Sequence, residues 1–200
     1  MTAVSCETNP YLTAYNEVME MTKGVPYSVM AWERRSQLVR KYAWAIPTEE
    51  AIRAINRYCP TKSLISIGAG TGYWEALIAA SGIEVVAYDS APPSKDKKNP
   101  YKHVVQYYPV RRGTERFVTK YPYHTLFLCW PCYSTSMAYR AATRSKAEYL
   151  VYVGEGSGGC TADDDFHEYL DRCFDEVETV WIPQWEGIHD RVQIYRRKGV

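Results

Sequence analysis

Glycines at alternate positions follow a short apolar run in the first half of the chain. Gly68, Gly70 and Gly72 stand where a strand is expected to turn into a helix. Glycine permits tight turning and lets a ligand approach the main chain closely. The free N–H groups at the start of the following helix favour an anionic or carboxylate-bearing group. These glycines therefore indicate a ligand-binding loop.

A carboxylate ends the next apolar run. Asp89 follows Gly68 by about 20 residues, which suits a side chain that accepts hydrogen bonds from both ribose hydroxyls of a bound nucleotide. The glycines, their strand context and this acid together predict a site for an adenosine-type cofactor. The alternative is an ordinary glycine-rich turn between a strand and a helix.

The elements that must position these residues follow from hydrophobic periodicity. Residues 64–67 predict a strand, residues 71–81 a helix that Gly82 can cap, and residues 83–88 a second buried strand. A strand, a helix and a strand in succession imply a parallel pair. The glycine loop and Asp89 are therefore expected at the same edge of a sheet.

The rest of the chain continues the alternation. The pattern predicts further strands at residues 103–108, 126–130, 149–153, 177–182 and 191–196, and helices at residues 113–120, 136–145 and 163–173. The last two strands form a closing hairpin. We therefore expect an α/β fold with a mostly parallel sheet and one antiparallel edge strand.

The first sixty residues read as a helical lead-in. Residues 27–46 have apolar positions at three- and four-residue steps, which predicts an amphipathic helix that Pro47 ends. Thr48 can cap a further helix that stops before Pro60. Two hundred residues suit a single domain. We therefore expect one domain over residues 1–200, with a helical extension at 1–60 and a cofactor-binding core at 61–200.

Composition narrows the classes of protein that the chain can belong to. The net charge is +1, so no polyanionic partner is required, and hydrophobic residues make up 46% of the chain, enough for a sizeable core. Neither a signal peptide nor a bilayer-spanning apolar run is expected. Six scattered cysteines suit a reducing cytoplasm with free thiols.

The glycine spacing distinguishes two cofactor classes. A dinucleotide site expects a third glycine at position 73, where this chain has Tyr73, and the sequence instead runs Gly68-Ala69-Gly70-Thr71-Gly72. That spacing resembles motif I of S-adenosylmethionine-dependent methyltransferases with the Rossmann-like fold. The resemblance covers about residues 63–196 and implies a three-layer sandwich. It also implies that the three glycines lie against the methionine end and the sugar of S-adenosyl-L-methionine, and that Asp89 binds the ribose.

One position departs from the family. Ser66 stands two residues before the first glycine, where the family usually has an acid. Glu75, on the first helical turn, either compensates for that acid or is a favourable charge at a helix N-terminus. The residues expected to bind the cofactor are Gly68, Gly70, Gly72, Tyr73, Glu75, Asp89, Ser90 and Trp130.

The end of the fourth strand is where a methyl acceptor is expected. Amino-methylating DNA enzymes have a tetrapeptide of the type Asp/Asn-Pro-Pro-Tyr there, and this chain has Trp130-Pro131-Cys132-Tyr133. The proline and the tyrosine match, but an indole cannot accept a hydrogen bond from an amino group. The pattern predicts an aromatic acceptor pocket that includes Pro131, Tyr133 and Trp185. The alternative is packing at the end of the strand.

Two residues are expected to orient or deprotonate the acceptor. Glu155 follows the fifth strand, at the edge where active sites of open α/β sheets gather, and glycines after it predict a mobile covering loop. His189 lies in the loop between the last two strands, where it can reach the acceptor. His167 is a further base, or simply a surface histidine of a helix.

Cys129 and Cys132 have the spacing of a metal or redox pair. A zinc site needs about four ligands, and no second pair with this spacing is present in the sequence. We therefore predict free thiols and no metal site.

A second resemblance spans nearly the whole chain. The sequence is similar to a group of uncharacterised proteins from actinobacteria and their phages, through YAWAIP at 42–47, IGAGTGYW at 67–74, LCWP at 128–131 and GCTADDDFH at 159–167. That group is similar to methyltransferases in fold. The resemblance implies no particular substrate.

The leading interpretation is a cytoplasmic methyltransferase that uses S-adenosylmethionine, with a small molecule or a nucleobase as acceptor. One alternative is a non-catalytic module, encoded by a phage, that binds the cofactor or a host protein. A nucleic-acid base (amino) methyltransferase is a further alternative, which the small net charge disfavours. A nicotinamide-linked oxidoreductase fits least, because the third glycine is misplaced.

Overall fold

The computed structural model describes residues 8–25, 28–94 and 105–199. They form a seven-stranded sheet with the order β3-β2-β1-β4-β5-β7-β6. The strands are β1 Ser63–Ile67, β2 Glu84–Asp89, β3 Val110–Arg112, β4 Thr125–Cys129, β5 Tyr149–Gly154, β6 Phe174–Trp181 and β7 Arg191–Arg197. The helices are α1 Pro10–Met21, α2 Val29–Lys41, α3 Glu49–Arg57, α4 Tyr73–Ala80, α5 Met137–Arg144 and α6 Asp164–Cys173, with a 3-10 helix at Glu115–Lys120.

The sheet is mixed in the way that the sequence predicts. Strands β1 to β5 pair in parallel, whereas β7 runs antiparallel between β5 and β6. The strand order reverses between β1 and β4, which leaves a crevice at the carboxyl ends of those strands. The predicted fold class is therefore confirmed, and it offers one natural place for a ligand.

Helices cover both faces of the sheet, because successive strand residues point to opposite sides. Leu64 of β1 belongs to a core that includes α1, α3 and α4, whereas its neighbour Ile65 belongs to a second core with α5 and α6. The result is a three-layer sandwich, as the resemblance to Rossmann-like methyltransferases implied.

The helical lead-in shares the first of these cores. Tyr11 of α1 is fully buried, and its hydroxyl donates to the carbonyl of Trp44. The amide of Asn9 donates to the carbonyl of Pro47 at 2.7 Å. The helices before β1 therefore share a hydrophobic core with the sheet.

The third strand lies later than predicted. The sequence places it at residues 103–108, of which 103 and 104 fall outside the described residues, whereas the structure has it at Val110–Arg112. The Tyr107 N–H donates instead to the Thr71 carbonyl just before α4, and the Tyr108 hydroxyl donates to the Val85 carbonyl of β2. These two aromatic residues therefore pack against neighbouring elements and do not pair in the sheet.

Two predicted helices are shorter in the structure. The helix predicted over 27–46 spans Val29–Lys41, because the chain leaves helical geometry at Tyr42 and continues as an irregular segment in which Tyr42, Ala45 and Ile46 are buried. Helix α4 begins at Tyr73 and not at residue 71, since Gly70 and Gly72 have positive φ angles of 53° and 73°. Of the helices that the structure describes, none combines the length and apolar character needed to cross a bilayer.

Candidate functional site

A cavity of about 350 Å³ opens at the carboxyl ends of β1, β2 and β4. It coincides with the point where the strand order reverses. Of the predicted cofactor-binding and acceptor-pocket residues, those that line it are Gly68, Gly70, Tyr73, Glu75, Asp89, Ser90, Trp130 and Pro131. These residues come from three separate stretches of sequence and meet in one concave site.

The glycine loop forms the floor of this cavity. The N–H groups of Gly68 and Ala69 both donate to the carbonyl of Tyr88, which ties the loop to the end of β2. Gly68 has φ 80°, a conformation that a residue with a side chain rarely adopts. The loop therefore presents its backbone, and no bulky side chain, to the cavity.

Gly72 has a different task from the other two glycines. It caps α4 in the left-handed region and does not line the cavity. A Cβ atom built on Gly72 would lie 2.9 Å from the Cβ of Tyr108. Gly72 therefore allows two backbone segments to approach, and its expected contact with the cofactor stays a prediction.

Asp89 is held in a fixed orientation at the end of β2. One carboxylate oxygen accepts from the Gly70 N–H at 2.9 Å, and the other accepts from the Ala91 N–H at 2.7 Å. The side chain is buried and still lines the cavity. Since each carboxylate oxygen has two lone pairs, both can accept a further hydrogen bond from a ligand.

Glu75 and Ser66 form a buried pair below the glycine loop. The Ser66 hydroxyl donates to Oε1 of Glu75 at 2.6 Å. Burial raises the pKa of Glu75 to about 7, despite the opposing effect of the hydrogen bond from Ser66. Glu75 thus lines the cavity as a carboxyl that is readily ionised by a nearby cation.

Tyr73 belongs to an aromatic cluster that covers the start of α4. Its ring packs edge-on against Tyr11, Tyr42 and Tyr107, with ring centroids 4.9 to 6.1 Å apart. Its hydroxyl donates to Asn9 at 2.8 Å. The helical lead-in is thereby fastened to the glycine loop.

Several residues that line the cavity were not predicted from the sequence, because no local pattern distinguishes them. Trp44 lies in the irregular segment after α2, where the Tyr42 carbonyl accepts a hydrogen bond from the Thr71 hydroxyl. Glu115 and Arg140 line the cavity near Asp89 as an ion pair with an N–O distance of 2.9 Å. The Arg140 guanidinium lowers the pKa of Glu115, although burial alone would raise it.

Trp130 occupies an unusual backbone conformation at the cavity wall. Its φ angle is 50°, in the left-handed region that bulky residues seldom adopt. The indole stacks on Trp44 with ring centroids 4.7 Å apart and an interplanar angle of 11°. Its N–H donates to Oδ2 of Asp190 at 2.8 Å.

The expected acceptor residues separate in space. Pro131 lines the cavity, Tyr133 is 63% exposed beyond it, and Trp185 is buried in the core. The Trp185 indole donates to the hydroxyl of Tyr11, which explains why it faces inward. Pro131 therefore lies where an acceptor could reach it, whereas Trp185 supports the lead-in.

The two expected catalytic residues lie beside the cavity and not among its lining residues. The carboxylate of Glu155 accepts from the N–H groups of Cys160 and His189 at 2.7 and 2.8 Å. Burial alone would raise the pKa of Glu155, but these hydrogen bonds outweigh it and lower the pKa. The His189 side chain is 81% exposed. Glu155 thus joins two loops next to the site.

Cys129 and the exposed Cys132 line the cavity, whereas His167 does not. Burial raises the pKa of the Cys129 thiol far above its usual value, so this thiol is neutral. A ring nitrogen of His167 contacts the Thr161 carbonyl at 3.2 Å, away from the cavity. Within the described residues, no group of histidine, cysteine and acidic side chains could hold a metal ion.

Comparison with known proteins gives likeness in fold only. No protein-family model matches the chain, and no curated protein matches it in sequence. Magnesium protoporphyrin IX methyltransferase (ChlM) from Synechocystis PCC 6803, solved with bound SAM, is 12% identical over 99% of this chain and 100% of its own, with a TM-score of 0.48. MtNAS in complex with MTA and tNA is 14% identical over 94% of this chain and 69% of its own, with a TM-score of 0.43.

A third solved structure concerns the conversion of a disulfide bond into a thioacetal group during echinomycin biosynthesis. It is 12% identical over 74% of this chain and 81% of its own, with a TM-score of 0.46. At these values the likenesses add nothing to what the topology of the chain itself shows. The strand order and the closing hairpin of the chain itself show a Rossmann-like α/β fold.

Proposed function

We propose that the chain binds S-adenosylmethionine in this cavity and transfers its methyl group to an acceptor not yet identified. One observation carries the proposal. The same cavity contains a glycine loop with exposed backbone, a braced carboxylate at Asp89 and a buried carboxyl at Glu75. A ligand with a sugar in its middle and a cationic amino acid at one end satisfies all three.

The chain's own groups fit such a ligand from end to end. Glu75 can neutralise an ammonium group, since a cation nearby favours its ionised form. Asp89 has free lone pairs for ribose hydroxyls. The Gly113 N–H donates to the Asp89 carbonyl at 2.9 Å, so the turn that contains Thr114 and Glu115 lies beside Asp89 and would be the part of the chain that contacts the purine.

The bound cofactor supplies a methyl group on a positively charged sulfur, which an acceptor takes by direct displacement. The task of the protein is then to hold donor and acceptor in line, and orientation of this kind accounts for much of the rate. Trp130 and Pro131 lie at the cavity wall where the acceptor approaches. Glu155 orders the adjoining loops, and His189 is the exposed base that we propose for an acceptor that must lose a proton.

Calorimetric titration with S-adenosylmethionine and S-adenosylhomocysteine tests the proposal. We expect both ligands to bind the wild type, and Asp89→Ala to weaken binding by about 10-fold or more, because about 1.5–3 kcal/mol of charge-assisted hydrogen bonding is lost. Asp165→Ala, an exposed acid on α6, is the matched control and should bind normally. A folded wild type that binds neither ligand would end the proposal.

A non-catalytic cofactor-binding module is the second candidate. It is favoured by one finding, that the expected catalytic residues Glu155 and His189 do not line the cavity. Formation of S-adenosylhomocysteine with a panel of small-molecule and nucleobase acceptors distinguishes the two. Binding without turnover across the panel supports the module, and turnover with any acceptor supports the enzyme.

A further inference from the structure

Trp130 is held in a conformation that it would not adopt unaided. A φ angle of 50° is costly for a bulky side chain and persists only where the surroundings impose it. The backbone N–H of Trp130 donates to the Val153 carbonyl at 2.8 Å, which fixes the main chain. The direction of the indole requires a second restraint, on the side chain.

Asp190, which lies 60 residues later in the loop before β7, provides that restraint. Its Oδ2 accepts the indole N–H at 2.8 Å, and the residue is only 2% exposed. Its Oδ1 is buried without a hydrogen-bond partner within the described residues. A buried carboxyl with one idle oxygen is costly for folding. Its one specific contact, with Trp130, is therefore the feature that requires explanation.

The loop around Asp190 is itself firmly placed. The Gln184 amide donates to the Asp190 carbonyl at 2.7 Å, and the Gln184 carbonyl accepts from the Tyr15 hydroxyl at 2.9 Å. The adjacent His189 N–H donates to Glu155. The carboxyl of Asp190 is thus fixed relative to both α1 and the end of β5, and it can act as an anchor.

Trp44 contacts the other side of the Trp130 indole. The two rings stack nearly in parallel, and both line the cavity. The Arg35 guanidinium of α2 lies 5.6 Å from the Trp44 ring centroid. The stack is therefore assembled from α2, the segment after it, the end of β4 and the loop before β7.

We propose that Asp190 is a positioning residue whose carboxylate holds the Trp130 indole against Trp44, so that the two rings form one rigid wall of the cavity. Under the proposed function, on which this step rests, that wall receives a flat acceptor beside the methyl donor. Hydrogen bonds to an ionised acceptor are roughly twice as strong as those to a neutral one. The rigidity of the wall therefore depends on the charge of Asp190.

The surroundings of Asp190 place that charge change within an accessible pH range. Burial raises the pKa of Asp190 to about 6, against the lowering effect of the hydrogen bond from Trp130. The titratable and charged groups that face it come from α1, α2, β4 and the end of β5, and are Tyr11, Tyr15, Arg35, Cys129 and Glu155. Of these, Glu155 raises the pKa and Arg35 lowers it.

Circular dichroism of the ligand-free protein tests the positioning role directly. Two stacked indoles couple to give an exciton couplet, and Trp44→Phe assigns it by abolishing it. We expect Asp190→Leu to lose the couplet. In Asp190→Asn the neutral amide oxygen still accepts the indole N–H, but more weakly, so this variant should show at every pH the reduced couplet that the wild type shows at low pH. The wild-type couplet should weaken as the pH falls through about 6, whereas that of Asp190→Asn should not change there.

The controls separate this inference from the proposed function. Asp165→Asn should leave the couplet and its pH profile unchanged. If Asp190→Leu does not fold, the comparison of Asp190→Asn with the wild type decides by itself. A wild-type couplet that persists unchanged below pH 6, or one that titrates equally in Asp190→Asn, overturns the positioning role. Failure to bind S-adenosylmethionine overturns the proposed function and leaves the couplet result intact.

Discussion

We propose that Glu75 replaces the acid that the resemblance implies two residues before the first glycine. Ser66 occupies the position where methyltransferases of this fold usually have an acid, and it donates a hydrogen bond to Glu75. The carboxyl group therefore reaches the cavity from α4 and not from β1. The cost is full burial, which is why the pKa of Glu75 rises to about 7.

That burial predicts a pH-dependent stability. A carboxyl whose pKa is higher in the folded state stabilises the fold fully below its unfolded value of 4.5, and the contribution is lost as the pH rises through about 7. Glu75→Gln has no such loss. Its free energy of unfolding, measured by urea denaturation, should exceed that of the wild type by on the order of 3 kcal/mol above pH 8 and match it near pH 4.5.

Glu168→Gln, an exposed glutamate on α6, is the matched control and should follow the wild type at every pH. The same Glu75→Gln variant should bind S-adenosylmethionine more weakly, because it cannot ionise against the ammonium group. Equal stability of wild type and Glu75→Gln above pH 8 would show that Glu75 is not desolvated as the structure has it.

At the scale of elements, the site depends on how β1 passes into α4. The turn needs three glycines with positive φ, and Gly72 also admits the backbone of Tyr108. Residues 105–108 therefore pack on the turn, where the sequence predicted a strand. The close approach of these two segments shapes the rim of the cavity.

Two glycine substitutions separate backbone strain from crowding. Gly72→Ala and Gly82→Ala both place a side chain at positive φ, but a Cβ on Gly82 meets nothing within 4 Å. We expect Gly82→Ala to cost about 1–2 kcal/mol of stability and Gly72→Ala about 2–5 kcal/mol, since crowding adds to the strain. Chemical denaturation measures both, and equal losses would contradict the close approach at Tyr108.

In the whole molecule, the helical lead-in and the sheet share one core. Asn9 is the clearest link, because its side chain caps α1 and contacts both Pro47 and Tyr73. Tyr73 in turn lies at the glycine loop. Order at the glycine loop therefore depends on a residue more than sixty positions earlier.

Asn9→Ala should accordingly affect more than α1. Loss of these hydrogen bonds is expected to cost about 2–4 kcal/mol, and to weaken S-adenosylmethionine binding through the freed Tyr73. Asn16→Ala, an exposed position on the same helix, should change neither property. Thermal unfolding and calorimetry on both variants check this. Normal cofactor binding by Asn9→Ala would mean that the lead-in and the site are independent.

Sequence alone determined those features that arise from neighbours along the chain. The alternation of strands and helices, the closing hairpin, the glycine loop and the place of Asp89 all follow from periodicity and turn chemistry, which act within a few residues. The position of Glu75 was also predictable, because it lies on the first turn of the helix that follows the glycine loop. The fold class and the position of the cavity were predictable for the same reason.

Only the tertiary structure decided which distant side chains meet. Trp130 and Asp190 are sixty residues apart, and Trp44 joins them from the lead-in. Trp185, expected at the acceptor, turned inward because Tyr11 offered its indole a partner. No local pattern encodes such contacts, since they depend on how the layers pack. The glycine loop is thus predictable from local sequence, whereas the wall that Trp44 and Trp130 form exists only once the protein is folded.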